Sequence, residues 1–91
     1  MVINETLTRI KSNRERLVYQ MITSEAICLK EEGFCTVYSV LVVRVDGDTV
    51  IESALAYDIS RRREVCLKVM RELCENGAKP QDIKEAAAEL L

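Results

Sequence analysis

Ninety-one residues supply one domain's worth of chain, enough for a single modest core and too little for two. The apolar fraction of 48% with 31% charged residues excludes a disordered chain, and a net charge of -2 gives no global field toward nucleic acid or membrane. The charge is uneven: residues 31–60 hold Glu31, Glu32, Asp46, Asp48, Glu52 and Asp58 against Arg44 alone.

The chain opens on "MVINETLTRIK", where Asn, Glu and Thr interrupt every apolar run, so no leader is expected there. Residues 1–14 are expected to be partly ordered or to supply an edge strand, with residues 6–10 the candidate. The stretch 12–33, "SNRERLVYQMITSEAICLKEEG", supports two readings. As a helix it offers Ser12 and Glu15 as a capping box, an apolar series of Leu17, Val18, Met21, Ile22, Ala26 and Leu29, and Gly33 as a stop. As a strand, residues 17–29 turn through "KEEG" and pair with the next strand, setting Cys28 opposite Cys35 and Ile22 opposite Leu41.

Residues 34–45 and 49–57 are β-branched runs joined by "DGD", a strong hairpin signal. The first run is apolar on both pleat faces, with Val37, Leu41, Val43 and Val45 on one and Tyr38, Val40 and Val42 on the other, as suits a central strand. The second is more polar and closer to an edge. From Ser60 the period becomes helical: Val65, Cys66, Val69, Met70, Leu73 and Cys74 form a stripe, Ser60 is the expected N-cap and Asn76-Gly77 the stop. This places Arg61, Arg62 and Arg63 in the first turn, against the helix dipole. Pro80 opens a last helix, with Asp82 in its first turn and Ile83, Ala86, Ala87, Leu90 and Leu91 as its apolar stripe.

In order, "VYQMITSEAICLKEEGFCTVYSVLVVR", "YDIS", a helix and "GAKPQDIKEAAAELL" resemble a family of short uncharacterised bacterial proteins, found mainly in clostridia, that carry a domain of unknown function. Tyr19, Gly33, the Tyr38-Ser39 pair, Asp58-Ile59-Ser60, Pro80 and Ile83 stand where that pattern puts them, over residues 15–91. The chain departs from it at Ser39, where glycine is common, and at Ala87, Ala88 and Glu89, which replace a more acidic ending. The resemblance implies no activity. It does imply that residues 17–29 are a strand, and hence an α+β fold: an antiparallel meander of three or four strands followed by two C-terminal helices packed on one face, as a single domain.

Candidate chemistry is sparse. The sequence has no histidine, so the commonest general base and metal ligand are missing, with every Ser-His or Cys-His nucleophile pair. Cys28, Cys35, Cys66 and Cys74 lack the close pairing of a zinc knuckle. A cross-strand Cys28–Cys35 pair could approach disulfide distance, but in the expected cytoplasmic setting all four are reduced and serve as small hydrophobes. The acidic residues each have a local reason to be polar, Asp46-Gly47-Asp48 is too short for a calcium loop, and isolated glycines make no phosphate cradle. No enzyme, cofactor or metal is therefore expected. Two surfaces remain. Arg61, Arg62 and Arg63, with Arg9, Lys11, Arg14 and Arg16, could meet nucleic acid, against the negative net charge. Two short helices can shield only one of the two apolar sheet faces; the second, expected to be Tyr38, Val40, Val42 and Ile51 or Leu55, could join another protein or a second copy as a homodimer. A fold of the N-terminal segment across that face is the competing expectation.

Overall fold

The computed structural model describes residues 2–28 and 33–91. Four strands, β1 (Val2–Ile10), β2 (Glu15–Cys28), β3 (Gly33–Asp46) and β4 (Thr49–Ser60), are followed by α1 (Arg63–Asn76), a 3-10 turn (Pro80–Asp82) and α2 (Ile83–Glu89). The strands form one antiparallel meander in the order β1-β2-β3-β4. The helices lie on one side of it, giving the two-layer α+β fold.

β2 is the strand that local pattern leaves open, and its chemistry shows why. Ser12 Oγ accepts hydrogen bonds from the Glu15 N–H at 3.1 Å and the Arg14 N–H at 3.4 Å. The contact that would cap a helix here shapes the β1–β2 turn instead, so the capping signal is real and its context is not helical. Beyond it, β2 pairs along its length with β3 and with all of β1, and these long-range ladders override a slight local helix preference. β1 is longer than residues 6–10, beginning at Val2 and continuing past a register shift between Ile3 and Glu5. It joins the sheet edge and does not fold across either face.

The β2–β3 register differs by two residues from the expected one. Cys28 faces Gly33, Ala26 faces Cys35, and Ile22 faces Ser39. Because a shift of two preserves the pleat, every side chain keeps its face. Of the expected "KEEG" turn, Gly33 is the first residue of β3, and residues 30–32, with the strand end at Leu29, lie outside the described residues. At the other end, Gly47 (φ 61) opens the two-residue β3–β4 loop, as a II′-type hairpin requires. Its N–H donates to the Arg14 carbonyl at 2.8 Å, so both loops at this end are tied together.

Cys35 is disulfide-bonded, which corrects the expectation that all four thiols are reduced; that expectation rested on compartment and not on geometry. Cys66 and Cys74 are free. Cys66 is wholly buried, and burial pushes its thiol up to about 11.

The core lies between the helices and one sheet face: Leu17, Tyr19 and Met21 of β2, Val40 and Val42 of β3, and Cys66, Val69, Met70 and Leu73 of α1. Those α1 positions recur at helical spacing, and Ile83 and Ala87 of α2 close the end over β4. α1 ends as expected. Gly77 takes the left-handed conformation (φ 66), its N–H reaches the Cys74 carbonyl at 3.2 Å, and the Ala78 N–H reaches that of Leu73 at 3.0 Å, a Schellman motif. Arg9 of β1 adds a clamp, donating to the Cys74 and Glu75 carbonyls at 3.1 and 2.8 Å. α1 has no basic residue in its own last turn, and Arg9 supplies that charge from the sheet.

Candidate functional site

Register and burial assign every strand residue to a face. Tyr38, Val40 and Val42 sit under the helices: Val40 and Val42 have no exposed surface, and Tyr38 is half-buried against the core. They form no exposed patch, which corrects the expectation for these three. Both faces of β3 are apolar, and strand pattern alone does not say which of them the helices choose.

The other face is the open one. Its centre is Val37, Leu41, Val43 and Val45 of β3, flanked by Val18 and Ile22 of β2 and Leu55 of β4. Ile22, Val37 and Val45 are buried, yet stand outside the cluster that the helices cover. Dense β-branched neighbours on the same face shield them. Polar positions here are Thr6, Thr8, Gln20, Ser24, Ser39 and Ser53, all uncharged.

The charges fall on the opposite side. Pairing places Glu5 across from Met21, Arg9 from Leu17, Arg44 from Leu17 and Glu52 from Arg44, so all four share the helix-side face, as do Glu15 and Glu25 by alternation along β2. At the end the helices do not reach, Arg44 Nε meets Glu15 Oε1 at 2.6 Å and its Nη1 lies 3.6 Å from Glu52 Oε1. The hydrogen bond from Arg44 holds the Glu15 carboxyl below its usual range. The longer contact is too distant for a hydrogen bond and leaves Glu52 Oε1 buried without one. Among the described strand residues, only Arg16, at the margin of the open face, brings a charge there, and it donates to the Gly47 carbonyl at 3.2 Å.

The arginine run is displaced from its expected position. β4 continues through Ser60, Ser60 Oγ accepts the Arg62 N–H at 3.0 Å, and α1 begins at Arg63 with Arg62 as the extended residue before it. Ser60 therefore shapes a turn and does not cap the helix. Arg62 pairs with Glu64 at 2.8 Å and Arg63 with Glu5 at 2.6 Å. Arg61 also has a partner. Glu64 sits in the first turn, where its own backbone N–H and then Arg62 hold its carboxyl below the usual range. This carboxylate offsets the unfavourable placement of the arginines at the positive end of the dipole. The N-terminal cations are similarly engaged: Arg9 on α1, Arg14 on Asp46 at 3.0 Å, Arg16 on Gly47, and Lys11 3.9 Å from Glu15.

No protein-family model matches the chain, and neither the curated proteins nor the solved structures give a significant match. Among the described residues, no group of three or more Cys, Asp or Glu side chains is placed to hold a metal, and no helix is long and apolar enough to cross a membrane. The most distinctive surface is thus the open sheet face. Its signal was present in the sequence as the uncharged positions alternating with Glu15, Glu25, Arg44 and Glu52, but only the register aligns them across four strands.

Proposed function

We propose that this chain is a non-enzymatic association module whose open sheet face packs against the same face of a second copy. One observation carries the reading: among the described residues, the face without helices has an aliphatic centre with neutral polar residues around it and no charge except at its margin, while the strand charges lie on the helix side. An antiparallel sheet with a solvated face ordinarily turns its charged residues to that face, and here the strand charges lie on the other one.

The area is suitable. Four strands at about 4.8 Å spacing and roughly nine residues of paired length span about 600 Å² in projection, against about 800 Å² of accessible surface per partner in a standard interface. Two such faces would pack about 10 Å apart, as in a β-sandwich. Exposed Ile3, Ile10 and Val50 at the periphery would extend the contact. The nucleic-acid reading of Arg61, Arg62 and Arg63 loses support from the ion pairs that Arg62 and Arg63 make within the chain.

Light scattering over a dilution series tests the proposal. The expected mass at high concentration is about twice 10.3 kDa. The Leu41→Glu variant, which plants a charge at the centre of the face, should be a folded monomer by circular dichroism and scattering. A wild-type chain that stays monomeric up to about 1 mM would reject the reading.

A further inference from the structure

A second feature lies on the helix side, at the far end of β4, and does not depend on association. A cleft of about 300 Å³ opens between β4 and α2. Its floor is Ala56, Ile59 and Ala87, all buried, and Tyr57 and Leu91, both largely exposed, form its walls. The cleft exists because α2 presents alanines where larger residues would fill the space against β4. Its volume is at the lower end of the range for small-molecule sites, which are typically apolar with a few placed polar groups.

Two opposite charges line this apolar cleft, Lys84 from α2 and Asp58 from β4. Neither takes part in the ion pairs found among the described residues. Asp58 is also the one non-glycine residue among those described with positive φ, at 49°. Its N–H is held by Ser39 Oγ at 2.9 Å, which fixes the β4 bulge that carries the carboxylate. A left-handed backbone at a non-glycine residue is uncommon and is concentrated where the surrounding structure imposes it.

We propose that this cleft binds a free amino acid with an apolar side chain, the carboxylate meeting Lys84, the ammonium meeting Asp58, and the side chain lying over Ala56, Ile59 and Ala87. The charge pattern selects a zwitterion. An apolar carboxylate alone would leave Asp58 unpartnered beside a like charge, and an apolar amine would do the same to Lys84. A ligand of this size in an open cleft binds with a dissociation constant of about 1 mM, given ordinary per-atom efficiencies.

The test is a titration of the full chain, followed by amide chemical shifts, with leucine as the probe and isocaproate, isoamylamine and glycine as controls. Leucine should saturate, with shifts centred on residues 56–59 and 84–88, and each truncated control should bind about tenfold more weakly or not at all. Lys84→Gln and Asp58→Asn should each weaken leucine by a similar factor. Both residues are exposed, and asparagine tolerates the left-handed backbone, so both variants should stay folded. Absence of saturation by about 10 mM leucine, equal binding of isocaproate or isoamylamine, or unchanged binding in both variants would each overturn the proposal.

Discussion

The Tyr19 hydroxyl donates to the Ala78 carbonyl at 2.8 Å from a ring with no exposed surface, tying β2 to the segment that follows α1. Desolvation is the main reason that its phenol is pushed up to about 12, with the Cys74 thiol a smaller cause. A folded pKa above the unfolded one means that the neutral phenol stabilises the fold fully below about pH 10, the ordinary tyrosine value. That contribution is lost as pH rises from there through about 12. Tyr19→Phe should cost about 1 kcal/mol near neutral pH, from the lost hydrogen bond and the carbonyl it leaves unmet. Above about pH 10 the wild type should lose up to about 1.4 kcal/mol per pH unit relative to the variant, so the two stabilities converge and then cross. Urea unfolding of both proteins at pH 7, 10 and 11 checks the sign, and a constant difference would show that Tyr19 does not titrate with folding. The residues around Tyr19 left helix and strand open, and only the family resemblance implied a strand; its partner, fifty-nine positions away, was not legible at all.

At the scale of elements, the parts readable from sequence are those whose signal is local. Gly47 and Gly77 mark a hairpin and a helix stop because each position needs a positive φ. The register of β2 on β3, and the face that the helices cover, depend on contacts between distant segments, and local pattern missed both. Gly77 shows how local and distant chemistry join. A Cβ there would lie 3.0 Å from Arg9 Nε, in the side chain that clamps the end of α1. Gly77→Ala should therefore cost about 1–2 kcal/mol from the left-handed backbone, plus part of the Arg9 clamp. In an Arg9→Ala background the clamp is already gone, so the Gly77→Ala cost should shrink to the backbone share. The cycle should give a coupling of about 0.5 kcal/mol or more, by denaturant unfolding. Strict additivity would mean that Arg9 moves aside freely. At Gly47 the nearest atom is Arg14 Nη2 at 2.9 Å, the far end of an exposed side chain, so no such coupling is expected there.

For the whole molecule, the open face makes a claim about stability as well as about mass. If the folded state is a dimer and the unfolded state is two separate chains, stability depends on protein concentration through mass action. A rise of about a hundredfold in concentration adds about 2.7 kcal/mol per dimer, which for two chains of this length shifts the unfolding temperature by about 5–8 °C. The wild type should show that shift in calorimetry. Leu41→Glu should not, because a charge facing its symmetry-related copy would have to be desolvated beside a like charge. The variant's unfolding temperature should match that of the wild type extrapolated to high dilution, since Leu41 lies on the open face and contributes nothing to the core under the helices. A wild-type transition independent of concentration would place the face in water in the native state. The sheet would then hold Val18, Leu41 and Val43 half-exposed on a two-layer fold, and the reversed distribution of charge between its faces would need another cause.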